Sequence, residues 1–113
     1  DGEQKRDFIY VKDCVDVLWW LYQTPHVNGL FNLGSGQAHS WNDLASCIFS
    51  SMYIPVQIDY IDMPETIKDQ YQNFTQANVS RLRDAGYIAP FQSLMDSVSD
   101  YSQHYLSTES YLS

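Results

Sequence analysis

Three short runs of strand type, separated by two stretches of helix length, fill the first half of this chain, and their order constrains the fold more than any other feature. Phe8–Val11 and Leu30–Leu33 are short apolar or aromatic runs, and Val56–Ile61 alternates as a strand does. Between the first two, Asp13 stands where an N-cap belongs, and Val15, Leu18, Trp19 and Tyr22 follow at helical spacing. That helix is expected to end before Pro25, with Asn28-Gly29 as a turn. Ser40 with Asp43 three residues on predicts a capping box. It would open a second helix with Leu44, Cys47, Ile48 and Ser51 on one face, stopped by Pro55. Strand, helix, strand, helix, strand is the signature of an α/β fold with short parallel strands and right-handed crossovers. The apolar Leu30–Leu33 run suits a strand buried on both faces.

The second half reads as helical. Residues 63–73 carry no period, and aperiodic connections of that length are usually functional or disordered. Thr75 is placed to cap a helix with Val79, Leu82 and Ala85 inward and Gly86 as its left-handed stop. Phe91, Leu94, Met95, Val98, Tyr101 and Tyr105 predict a final amphipathic helix, about the fourth in the chain, and residues 107–113 read as a tail.

Composition excludes several roles. A chain of 113 residues is one domain's worth. Its formal charge of −8 disfavours nucleic acid and anionic membranes, which reward a basic face. No apolar run approaches the ~20 residues of a membrane span, and no leader pattern is visible, so a cytoplasmic location is expected. Cys14 and Cys47 lack metal-ligand spacing and suit a reducing compartment, though a disulfide between them stays open. His26, His39 and His104 are too scattered for a metal site. Of six basic residues, Lys5, Arg6 and Lys12 crowd the N-terminal stretch, where a phosphate is to be sought unless they form a solvated edge.

Three motifs carry a family resemblance. Arg6-Asp7-Phe8-Ile9-Tyr10-Val11-Lys12-Asp13, followed by Leu30-Phe31-Asn32-Leu33-Gly34-Ser35-Gly36, resembles the C-terminal part of extended short-chain dehydrogenase/reductases that act on nucleotide sugars. Lys68-Asp69-Gln70-Tyr71-Gln72-Asn73-Phe74-Thr75-Gln76-Ala77 narrows the resemblance to the ADP-L-glycero-D-manno-heptose 6-epimerases, to about Tyr105. It implies a C-terminal fragment of a Rossmann-type epimerase. Residues 1–35 would be a strand–helix–strand segment that packs on the missing dinucleotide-binding domain, and residues 36–106 the substrate-binding domain. Another nucleotide-sugar epimerase or dehydratase, using a UDP- or dTDP-sugar, and a non-catalytic protein-interaction module are the competing readings.

The resemblance also implies an activity. The parent would be an isomerase of lipopolysaccharide inner-core biosynthesis, using NADP to epimerise C6 of ADP-heptose by reversible hydride transfer. None of the nine tyrosines here has a lysine four residues later, the proton-transfer pair of that family. The sole Gly-x-Gly, Gly34-Ser35-Gly36, has His39 where a fingerprint's third glycine belongs and reads as a turn. The fragment is therefore expected to bind no cofactor and to be inactive alone. Its expected partners are an ADP-sugar, the dinucleotide-binding half and further copies of itself, since Val15, Trp19, Leu30 and Phe31 would expose apolar surface.

Arg6 is the first candidate for holding the substrate. A guanidinium offers paired donors that match a phosphate and keeps its charge. The resemblance implies the same role, against the alternative of a surface salt bridge to Asp7. Tyr71 is the second: it can lay its ring on a sugar or base and donate its hydroxyl, or fold back over the core. Lys68 could add charge near the phosphates, whereas some relatives carry an arginine where this chain has Gln70. Asp1 and Gly2 fall at the end of a backbone stretch that the family uses to hold substrate.

Overall fold

The structure, a computed structural model, describes residues 1–62, Pro64 and 74–106. Tyr71, Lys68, Gln70 and the expected tail at 107–113 lie outside the described residues. The elements run β1 (Lys5–Arg6), α1 (Val11–Gln23), β2 (His39–Ser40), α2 (Trp41–Ser51), α3 (Ser80–Asp84) and α4 (Leu94–Tyr101), which tightens into a π-helical turn, Ser102–Leu106. β1 and β2 pair antiparallel, Lys5 opposite Ser40 and Arg6 opposite His39, and Lys5 also bridges Phe74 in parallel.

This corrects the expected strands. Phe8–Val11, Leu30–Leu33 and Val56–Ile61 carry no ladder, and Val11 already opens α1. A strand exists through its neighbour's hydrogen bonds, and among the described residues these runs have no neighbour. The pairing that does form lies just outside them, at residues 5–6, 39–40 and 74.

The helices follow the sequence more closely. The capping box forms in full: Asp43 N–H donates to Ser40 Oγ (3.0 Å) and Ser40 N–H to Asp43 Oδ2 (3.2 Å). α1 ends at Gln23, ahead of Pro25. Asp13, however, is not its cap. Tyr10 is, and Asp13 turns inward, buried, to accept from Gln92 N–H (2.9 Å). Thr75 does not cap α3 either: it lies in the stretch that pairs with β1, its N–H donating to Lys5 O (3.0 Å), and α3 starts only at Ser80, after an Asn78 side-chain turn. Gly86, with φ +119°, stops α3 as expected. Ser93 caps α4, accepting from Asp96 N–H (3.1 Å).

The core is formed by Val17 of α1, Leu82 of α3 and Tyr87, with Trp20, Leu21, Phe31, Leu33 and Phe91 packed around them. On the opposite side of α1 the stripe Val11, Val15, Leu18, Trp19 and Tyr22 is 44 to 77% exposed, and Leu30 is 79% exposed. These positions recur at i, i+4, i+7, i+8 and i+11, a single helix face. α1 is thus apolar on two faces, with only one covered. The radius of gyration, 16.6 Å, exceeds the roughly 13 Å of a compact domain this long, and the molecule is only 21 Å thick. The architecture is a thin slab with one apolar face of α1 exposed.

Candidate functional site

Asp7 is where distant parts of the chain meet. Its Oδ1 accepts from the N–H and Oγ of Ser35, both at 2.7 Å, and its Oδ2 accepts from the N–H groups of Gly36 and Ala77, both at 3.0 Å. Burial alone would push this carboxyl up. The bonds from Ser35 Oγ, Ala77, Ser35 and Gly36 outweigh it and hold the pKa below the ordinary aspartate value. Gly34 is required at the junction. A Cβ there would lie 2.5 Å from the Ala77 Cβ and 2.7 Å from Asp7 Oδ2.

The backbone reinforces this meeting point. Thr75 N–H donates to Lys5 O (3.0 Å), and Gln76 Oε1 accepts from Ala38 N–H (3.1 Å). Residues 74–77 are therefore laid against residues 5–7 on one side and the 34–38 turn on the other. The two successive N–H groups of the 34–36 turn, Ser35 and Gly36, face the Asp7 carboxylate.

Arg6 stands beside this hub on β1, half-buried, with Nη1 donating to the Lys5 carbonyl (2.7 Å). Asp7, weighed from sequence as a salt-bridge partner of Arg6, takes the bonds from Ser35, Gly36 and Ala77. Asp1 is exposed and its carboxylate accepts from Glu3 N–H (3.0 Å). Asn42 clips this end onto α2: its N–H donates to Gly2 O (2.9 Å), and its amide group donates to Asp1 O (3.4 Å) and the Glu3 carboxylate.

Lys12 does not join Arg6. Its Nζ sits 2.8 Å from Asp100 Oδ2 and 5.1 Å over the Tyr105 ring, which raises its pKa. Tyr10 is buried and donates its hydroxyl to the same Asp100 oxygen. Burial first, and then the carboxylate, push the Tyr10 pKa up to about 12. Asp100 is held low by Lys12 and Tyr10, and His104 Nδ1 lies 2.9 Å from its other oxygen. This second hub anchors the start of α1 to the end of α4, and Phe8 packs edge-on against Trp41 at 5.1 Å. β1 and the turn into α1 are thus held from both ends.

Below α2 and α4 an apolar cavity of about 370 Å³ is lined by Phe8, Tyr10, Leu44, Ile48, Val98 and Tyr101, among others. Cys14 and Cys47 are free thiols, both pushed up by burial. Among the described residues no group of three His, Cys, Asp or Glu gathers to hold a metal, and no helix is long and apolar enough to cross a membrane. Sequence reasoning missed Asp100, Asn42 and the role of Asp7. Only the charged dipeptide Arg6-Asp7 hinted at the last.

Comparison with known proteins follows this geometry. A sequence model of the NAD dependent epimerase/dehydratase family matches residues 1–34. Over 94% of its length the chain is 54% identical to the ADP-L-glycero-D-manno-heptose-6-epimerase of Nitratidesulfovibrio vulgaris, covering 33% of that protein. It is 40% identical to the enzyme of the same name from Fusobacterium nucleatum, covering 36% of it. The chain spans about a third of the length of these relatives. Among solved structures it superposes on UDP-N-acetylglucosamine 4-epimerase from Methanobrevibacter ruminantium M1, in complex with UDP-N-acetylmuramic acid, with a TM-score of 0.78 at 23% identity. That match takes in 96% of this chain and 33% of the other. RMD from Pseudomonas aeruginosa complexed with NADPH matches with a TM-score of 0.75 at 20% identity, over 96% of this chain and 34% of its own. The α/β fold expected from the sequence is therefore shared with about one third of each of these solved structures, and the motif resemblance is borne out by the names of the relatives.

Proposed function

We propose that this chain is the C-terminal, substrate-anchoring part of an NADP-dependent ADP-heptose 6-epimerase of the cytoplasm. One observation carries the reading. The three stretches on which the resemblance rests, Arg6-Asp7, Leu33-Gly34-Ser35-Gly36 and Thr75-Gln76-Ala77, converge on a single carboxylate, although up to 70 residues separate them in the chain. Arg6 stands at that junction as the anchor for the phosphates of the nucleotide sugar. Tyr71, with Lys68 near it, lies outside the described residues and takes the remainder of the nucleotide. Asp1 and Gly2, clipped to Asn42, offer backbone groups to the sugar side.

The described residues do not fit NADP. The single candidate cradle is filled by Asp7, where a phosphate would meet a carboxylate. Hydride transfer thus belongs to the rest of the parent enzyme, and this chain contributes binding and orientation. The uncovered face of α1 supports a matching division of labour. Residues 1–35 dock on the dinucleotide-binding half through Val15, Leu18, Trp19 and Tyr22, and the family match ends at residue 34, just beyond that face. The isolated chain is expected to self-associate through the same surface and to be inactive.

The test is Arg6→Ala in the parent enzyme, with affinity measured for ADP-heptose and with UDP-glucose as control. Loss of hydrogen bonds to a charged group predicts a penalty of about 1.5–3 kcal/mol for ADP-heptose. Unchanged affinity for ADP-heptose would sink the reading.

A further inference from the structure

We infer that Asp7 is a positioning residue for Arg6, setting the direction in which the arginine leaves the sheet; the inference rests on the functional reading above. β1 is two residues long; its ladder with β2 supplies the Lys5–Ser40 and Arg6–His39 pairings, and Phe74 bridges Lys5 on the other side. The ladder ends at Arg6, so the grip on the next residue, Asp7, sets how the chain leaves the strand. Successive side chains of extended backbone point to opposite faces. Whatever pins Asp7 on one face therefore aims Arg6 on the other.

Asp7 is pinned from two directions. Its Oδ1 is held by Ser35 and its Oδ2 by Gly36 and Ala77, so the carboxylate plane is fixed by groups 28 and 70 residues away. Every neighbour that reaches it is a donor, which suits an ionised carboxylate and no neutral isostere. In an asparagine the amide nitrogen would face either the Ser35 donors or the N–H groups of Gly36 and Ala77. Half the site would become donor against donor. The pKa below the usual aspartate value keeps the charge in place throughout the neutral range.

The experiment is a double-mutant cycle in the full parent enzyme, with KM and kcat measured for the nucleotide sugar in wild type, Asp7→Asn, Arg6→Ala and the double variant. If Asp7 acts through Arg6, Asp7→Asn raises KM about tenfold, with kcat changed by less than about twofold, and has almost no further effect once Arg6 is alanine. A merely structural Asp7 would weaken both backgrounds alike, and that additivity overturns the inference, as does an unchanged KM in Asp7→Asn. Should Asp7→Asn not fold, Ser35→Ala replaces it in the cycle, removing one donor while keeping the carboxylate, with a smaller rise expected under the same criterion. If Arg6→Ala alone leaves KM unaltered, the functional reading has failed and the inference goes with it. A strong Arg6→Ala effect with an additive cycle removes the inference alone.

Discussion

Adding a single methyl group at Gly34 probes whether the three sequence stretches meet as tightly as the geometry says. The new Cβ would sit 2.5 Å from the Ala77 Cβ and 2.7 Å from Asp7 Oδ2, whereas carbon atoms pack best at about 3.5–4.0 Å. Residues 74–77 must then retreat by about 1 Å. Overpacking of this kind costs roughly 1–3 kcal/mol. The retreat also stretches the 3.0 Å bond from Ala77 N–H to Asp7, and a bond to a charged acceptor contributes about 1.5–3 kcal/mol. The two costs share one displacement, so Gly34→Ala should destabilise by about 3 kcal/mol in all. Denaturant titration measures this directly, and the Ala77 amide resonance reports the displacement. Ala77→Gly in the same chain removes the 2.5 Å clash and leaves the one with Asp7, so it should recover about half of the loss. A Gly34→Ala chain within about 0.5 kcal/mol of wild type, the range of an ordinary surface change, would refute the tight junction. So would a double variant with no recovery.

Three further outcomes are expected. Tyr10 has its folded pKa raised to about 12, above its unfolded value, so its contribution is complete below the unfolded pKa and disappears as pH rises towards 12. Parallel titrations of stability and tyrosinate absorbance should show wild type losing more stability in that alkaline window than Tyr10→Phe, whose remaining loss belongs to groups such as Tyr87, also pushed up by burial. Tyr53 has φ +60° just past the end of α2 and is 87% exposed, so Tyr53→Gly should raise stability by up to about 1 kcal/mol in thermal melts. Leu18→Glu should change the chain's own stability by less than about 0.5 kcal/mol while abolishing its association with a separately produced dinucleotide-binding half; stable association in a pull-down would contradict the assigned face.

Local chemistry was legible wherever the partner is a few residues away. The Ser40–Asp43 box, the stop before Pro25 and the left-handed Gly86 all involve neighbours in sequence. Legibility failed where a distant group captured a residue. Asp13 looks like a cap, but Gln92 draws it inward, and Thr75 looks like one too, but its backbone is paired with Lys5 and α3 begins only at Ser80. The apolar runs at 30–33 and 56–61 have strand composition, yet no ladder can form without a neighbouring strand to complete it. For the site, Arg6 was legible from its motif, whereas the grip on Asp7 depends on donors 28 to 70 residues away that no local pattern reveals. The exposure expected of Val15, Trp19 and Leu30 is observed, while Phe31 escapes it by packing on the core.

Paired successive amides of the Ser35–Gly36 kind capture phosphate or sulfate in many proteins. Here the captured anion is part of the polypeptide, tethered and already oriented, so a dissolved competitor would have to surrender more freedom of motion than the side chain it displaces. A proton weakens the grip by another route, cancelling the charge that the donors hold.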